Sequence, residues 1–136
     1  MIRDISIVIP IYNEQDNIIQ LIKEVRASLE KKINYEIIIV DDGSDDNTYE
    51  VVNKINKNIN IISHKKNYGQ SIGLRTGIIE ANSEYIVTLD GDGQNDPRDI
   101  LKLIKPFDSK VSFMMVIGNR VNRIDSTAKK VASRLA

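Results

Sequence analysis

Five short runs of aliphatic, mostly β-branched residues, each closed by polar residues, proline or glycine, constrain this chain more than any other feature. Ile5-Ser6-Ile7-Val8-Ile9 ends at Pro10, and Glu36-Ile37-Ile38-Ile39-Val40 ends at Asp41-Asp42-Gly43. Ile59 to Ser63 is the third run. Tyr85-Ile86-Val87-Thr88-Leu89 runs into Asp90-Gly91-Asp92-Gly93, and Ser112 to Ile117 stops at Gly118. Continuous rather than alternating apolarity is the pattern of strands buried on both faces. Helical periodicity fills the gaps. Ile18, Ile19, Leu21, Ile22, Val25 and Leu29 form one stripe, and Asp45 or Asp46 can cap a helix that turns Val51, Val52 and Ile55 inward. Gly69 to Ala81 reads as a third helix, packed through Ile72, Leu74, Ile78 and Ile79. Asp96-Pro97 is a cap followed by proline at the first helical position, leading into Ile100, Leu101 and Ile104. This alternation predicts an α/β fold, a mainly parallel sheet with helices on both faces. The 136 residues suit one domain, 1–136.

Composition narrows the function. With no cysteine there is no disulfide framework, thiolate zinc site or cysteine nucleophile. Nineteen bases cancel nineteen acids, so no overall basic field invites nucleic acid. No apolar run approaches the roughly 18 residues of a membrane span. The opening MIRDISIVIP lacks a signal-peptide pattern, so the expected compartment is the cytoplasm. The cancelled charge is uneven: acids crowd Asp41–Glu50, while Arg120, Arg123, Lys129, Lys130 and Arg134 face only Asp125 after residue 118. That suits a cation site beside an anion site; solvated helix faces would give the same pattern. Asp125 or Ser126 can cap a last helix with Ala128, Val131, Ala132 and Leu135 on one face. Nothing follows to cover that face. The expectation is a domain truncated at its C-terminus, whose open edge leaves room for a homo-oligomer; a plain docked C-terminal helix is the alternative.

Open parallel sheets bind ligands at the carboxyl ends of their strands, where the strand order reverses. The polar clusters sit at those ends: Pro10-Ile11-Tyr12-Asn13-Glu14, Asp41-Asp42-Gly43-Ser44 and Asp90-Gly91-Asp92-Gly93-Gln94. A strand order of 3-2-1-4 would bring all three together. Carboxylates so crowded repel one another unless a cation screens them. Asp90, Asp92 and Gln94 offer hard oxygen ligands suited to Mg²⁺ or Mn²⁺. A calcium loop does not fit, because the sixth and twelfth positions from Asp90 are Asn95 and Leu101.

Four motifs in order, Ile7-Val8-Ile9-Pro10-Ile11-Tyr12-Asn13-Glu14, Val40-Asp41-Asp42-Gly43-Ser44-Asp45-Asp46-Asn47-Thr48, Asn67-Tyr68-Gly69 and Asp90-Gly91-Asp92-Gly93-Gln94, span nearly the whole chain. They resemble family 2 glycosyltransferases of the GT-A fold, most closely the polyprenyl- and dolichol-phosphate mannosyl- or glucosyltransferases. The resemblance implies a Rossmann-like nucleotide-sugar-binding fold and an inverting transfer from a UDP- or GDP-sugar, with polyprenyl or dolichyl phosphate as acceptor. It implies donor contacts at Pro10, Tyr12, Glu14, Asp42, Asp90 and Gly91. It puts the metal on Asp90, Asp92 and Gln94, and the acceptor phosphate on Arg120 and Arg134. Asp90, Asp92 and Arg120 are the residues it marks for catalysis. A lipid acceptor leaves open a peripheral position at the cytoplasmic face of the membrane. Ile72 departs from the family, which has a small alanine there, and family members are longer, so the chain looks like a donor-binding N-terminal portion.

Two other classes fit parts of the pattern. A nucleotide-sugar-binding module without turnover would share the donor site. A phospho-acceptor receiver domain would share Asp41-Asp42 and Asp90, but it would begin with the strand of the acid pair and end a later strand in lysine, where Gly118-Asn119-Arg120 stands. His64, the only histidine, reads as a loop residue after the third strand, and Lys65-Lys66 as solvated neighbours.

Overall fold

A computed structural model of the chain describes residues 4–55, 58–108 and 115–118. Four strands, β1 (Asp4–Ile11), β2 (Asn34–Asp41), β3 (Ile59–Ser63) and β4 (Tyr85–Thr88), form one all-parallel sheet in the order β3-β2-β1-β4. Helices α1 (Ile18–Leu29), α2 (Thr48–Asn53) and α3 (Gln70–Glu80) connect them. A 3₁₀ turn at Pro97–Asp99 then leads into α4 (Ile100–Ile104) and a second turn at Lys105–Asp108.

The connections fix which face each helix covers. Parallel crossovers are right-handed. The chain steps outward from β1 to β2 to β3, so α1 and α2 lie on one face; its return from β3 to β4 carries α3 across the other. On the first face Ile5, Ile7, Ile9, Ile11, Ile37 and Ile39 pack with Ile18, Leu21, Ile22, Val25 and Leu29 of α1, Val52 of α2 and Ile100 and Ile104 of α4. On the second, Val8, Ile38 and Val40 pack with Ile62, Leu74 and Ala81. Each fully buried aliphatic side chain gains about 1.5–3 kcal/mol on leaving water. Both faces are therefore dry along β1 and β2, which accounts for their unbroken apolar runs.

Four local expectations change. Pro10 does not stop β1, which continues to Ile11 beside Asp41. Ile11 O accepts from Asp42 N, and Val8 O accepts from Leu89 N; Pro10, two residues from Val8, therefore faces the β4 side. There the pairing ends at Thr88, and a missing N–H costs no ladder bond. The second correction concerns α3. Leu74 packs inward as expected, but the fully buried positions are Gly73 and Gly77, whereas Ile72, Ile78 and Ile79 are exposed. A Cβ on Gly77 would lie 2.3 Å from Val8 Cγ1, so the glycines let the helix backbone rest directly on β1 and β2. The bulk of Ile72 is accommodated because it points outward. Third, α2 begins at Thr48, and neither Asp45 nor Asp46 is its cap residue; Asp46 accepts from the N–H and hydroxyl of Thr48 from one position further out. Asp96, by contrast, caps the Pro97 turn as expected by accepting from Arg98 N at 3.0 Å. Last, residues 115–117 of the fifth apolar run are not in a strand, while 112–114 lie outside the described residues, as does the expected helix after Asp125.

Candidate functional site

Because β1 lies between β2 and β4, the carboxyl ends of all three strands meet at the reversal of strand order, and a cavity of about 310 Å³ opens there. Pro10, Tyr12 and Glu14 line it from the β1 end, Asp42 from the β2 end, and Asp90, Gly91 and Asp92 from the β4 end. Asn67, Gly69 and Gln70 close it from the start of α3. A larger hollow of about 760 Å³ opens at the opposite end of the sheet, near Asp4, Glu36, Glu84 and Asp108. The Glu36 carboxylate there is already taken up by Ser6 Oγ and by the backbone and side-chain amides of Asn82, so this end serves to tie the α3–β4 connection to the sheet.

Hydrogen bonds stitch together the loops that wall the smaller cavity. Asp41 Oδ1 accepts from the backbone N–H (3.1 Å) and hydroxyl (2.5 Å) of Ser44, closing the turn after β2. Gly43 sits in that turn at φ +71°, and a Cβ on it would meet the Lys66 carbonyl carbon at 2.4 Å, so this position needs glycine twice over. Asn13 Oδ1 accepts from Asp45 N, Thr48 Oγ1 from Glu14 N, and Gln15 Oε1 from Asn47 N, joining the β1 and β2 loops.

Asp42 is buried, with only 3% of its surface exposed. Its Oδ1 lies 2.6 Å from His64 Nδ1 and 3.0 Å from Tyr68 N, and its Oδ2 accepts from Gly69 N at 2.7 Å. Burial alone would push this carboxyl up; hydrogen bonds from His64, Tyr68 and Gly69 outweigh it and hold the group below the usual carboxylate range. Asp90 Oδ1 accepts from Gln70 Nε2 at 2.8 Å, and exposed Asp92 accepts from the backbone N–H of Gln94 at 3.0 Å.

The structure thus brings Pro10, Tyr12, Glu14, Asp42, Asp90, Gly91 and Asp92 to one cavity. Gln94 is exposed and is not among the residues lining it. Arg120 and Arg134 lie outside the described residues. Sequence reasoning passed over His64. It lies in the loop after β3, as expected, but its side chain is only 12% exposed and uses both ring nitrogens, the second 3.0 Å from Thr76 Oγ1. Lys65 and Lys66 are exposed as expected, with Lys66 Nζ 5.3 Å from the centre of the Tyr68 ring.

Solved structures share this fold. A mannosyltransferase from Pyrobaculum calidifontis, PcManGT, in complex with GDP-Man and Mn²⁺, superposes with a TM-score of 0.66 at 22% identity, over 74% of this chain and 31% of its own. S. aureus TarS in complex with UDP gives 0.63 at 23%, over 76% and 32%. The fold is that of the GT-A glycosyltransferases. Residues 6–135 match glycosyl transferase family 2, and the chain belongs to that family, which sets aside the receiver-domain reading. An undecaprenyl-phosphate 4-deoxy-4-formamido-L-arabinose transferase of Yersinia pestis is 37% identical over 139 aligned positions. The match takes in 98% of this chain and 42% of that protein, so the chain spans less than half the length of this relative.

Proposed function

We propose that residues 1–136 form the donor-binding, N-terminal part of the catalytic domain of an inverting glycosyltransferase. It moves a sugar from a UDP- or GDP-sugar to a polyprenyl phosphate at the cytoplasmic membrane surface. The observation that carries this reading is the convergence of Asp42, Asp90 and Asp92 on one cavity at the reversal of strand order. The undecaprenyl-phosphate transferase relative and the nucleotide complexes of the structural neighbours support the choice of substrates. No helix among the described residues is long and apolar enough to cross a membrane.

The base and ribose lie against Pro10, Tyr12, Glu14 and Asp42, where an ionised carboxylate can only accept, and so selects an N–H edge. Among the described residues no cluster of three or more acidic or histidine side chains could enclose a metal. Asp90 and Asp92 instead present two carboxylates to an open cleft. A hard divalent ion that keeps several waters and takes phosphate oxygens as its remaining ligands fits such a pair, either Mg²⁺ or Mn²⁺. When bound, that ion supplies positive charge against the departing nucleoside diphosphate. A phosphate oxygen of the acceptor attacks the anomeric carbon from the face opposite the donor phosphate. The old C–O bond breaks with its electron pair on the nucleoside diphosphate, and the configuration inverts. The attacking group is already an anion, so it needs orientation rather than a general base, and Arg120 and Arg134 are assigned that task.

Calorimetry with UDP and GDP, with and without Mn²⁺, tests the donor site. Binding that strengthens with metal is expected for one of them. Equal affinity in both conditions would remove the metal from the account, and no binding of either nucleotide would remove the donor site.

A further inference from the structure

Resting on that donor-site reading, we propose that His64 is a positioning residue that sets Asp42 and the 64–69 segment in place for the nucleobase. His64 does not line the cavity, so it acts through its neighbours and not on the ligand. One of its bonding partners fixes the place of a proton. Asp42, held ionised, can only accept, so Nδ1 carries a hydrogen and donates to Oδ1 at 2.6 Å. In the neutral ring Nε2 then accepts from the Thr76 hydroxyl at 3.0 Å. The ring edge stands against Tyr68, with centroids 5.5 Å apart and planes at 84°.

One imidazole therefore joins three pieces of the chain that are far apart in sequence: the end of β2, the segment after β3, and the middle of α3. Each matters to the cavity. Asp42 is a wall residue. The segment after His64 supplies Asn67 and Gly69, and the N–H groups of Tyr68 and Gly69 that complete the hold on Asp42. α3 carries Gln70, which donates to Asp90 across the cleft. Without His64, the Asp42 carboxylate keeps only the two backbone donors, Tyr68 N and Gly69 N, and the segment loses its side-chain tie to Thr76.

The test compares His64→Ala, His64→Asn and Thr76→Val in the full chain. Asparagine keeps an N–H donor at the position of Nδ1, while Thr76→Val removes only the partner of Nε2. Two readouts are used: amide hydrogen exchange at Tyr68 and Gly69, and calorimetry with Mn²⁺ plus UDP or GDP beside Mn²⁺ plus inorganic pyrophosphate, a probe without a base. In His64→Ala the two amides are expected to exchange at least about tenfold faster and nucleotide affinity to fall about tenfold, with pyrophosphate affinity unchanged. His64→Asn should recover both to within about threefold, and Thr76→Val should lie between. Unchanged exchange in a folded His64→Ala would overturn the proposal. So would an asparagine variant that rescues nothing, or a parallel loss of pyrophosphate binding. If His64→Ala does not fold, His64→Asn and Thr76→Val carry the same comparison. If the unsubstituted chain binds neither nucleotide, the donor-site reading fails, and amide exchange alone still decides the role of His64.

Discussion

Gly77→Ala should destabilise the chain even though alanine is the better helix former. The new Cβ would lie 2.3 Å from Val8 Cγ1 and 3.2 Å from Val40 Cγ2, against an ordinary contact of 3.4 Å or more. Val8 cannot swing aside, because it is β-branched and fully buried in the centre of the sheet. The helix must therefore move outward by about 1 Å, and overpacking of this kind costs about 1–3 kcal/mol. The gain in helix propensity returns up to about 1 kcal/mol. The gap of 2.3 Å puts the strain at the upper end of its range, so a net loss of about 1–2 kcal/mol is expected. In a domain of this size that lowers Tm by roughly 4–8 °C. Thermal unfolding followed by circular dichroism reads it, with Ile79→Ala as the control. Ile79 is 62% exposed, so its truncation should change stability by no more than about 0.5 kcal/mol. A Gly77→Ala variant as stable as the parent would refute the close seating of α3 on β1.

Other outcomes follow from the same geometry. Gly43→Ala should cost at least about 1–2 kcal/mol from its left-handed backbone alone, and urea unfolding should show it. The clash with Lys66 also separates Asp42 from the 64–69 segment, so nucleotide affinity should fall with stability. Asp92→Ala should leave Tm nearly unchanged, since the side chain is exposed, yet abolish most of the Mn²⁺-dependent part of nucleotide affinity in calorimetry. Acid should unfold the chain in a definite window. Asp42, Glu36 and Asp46 are all held below the usual carboxylate range, and Asp96, gripped by Arg98, is lowered to about 2. Depressed carboxyls contribute stability that is complete above their unfolded values of about 4 and is lost as pH falls through the folded ones. Tm should thus hold down to about pH 4 and drop toward pH 2; a flat profile across that range would contradict these assignments.

The sheet was legible because β1 and β2 are buried on both faces, and such strands announce themselves as unbroken isoleucine and valine. The polar clusters were legible for a related reason: in a parallel sheet every strand end that follows an apolar run lies on the same edge. Of the inward face of α3 only Leu74 was legible, since Gly73 and Gly77 contribute by lacking side chains, and a hydrophobic pattern gives them no weight; its isoleucines drew attention to the outward face instead. Pro10 misled because a proline stops a strand only where a ladder bond is lost, which depends on where β4 ends. The role of His64 depends on Asp42, 22 residues before it, and Thr76, 12 residues after it. Asp42 comes within reach only when β3 pairs with β2, and Thr76 only when α3 has crossed the sheet, so no local spacing signals it. What the sequence did offer was a lone histidine at the end of a strand that faces the cavity edge.

Mn²⁺ itself provides the most direct test of the account, because its unpaired electrons broaden the NMR signals of nearby amides. In the presence of UDP or GDP, titration with Mn²⁺ should broaden the backbone amides of Asp90, Gly91 and Asp92 first. The amides of Tyr12 and of Asp42 should shift with nucleotide alone or with diamagnetic Mg²⁺. Broadening centred instead on Glu36 and Glu84, in the larger hollow at the other end of the sheet, or spread evenly over the acidic surface, would contradict a donor site at the reversal of strand order.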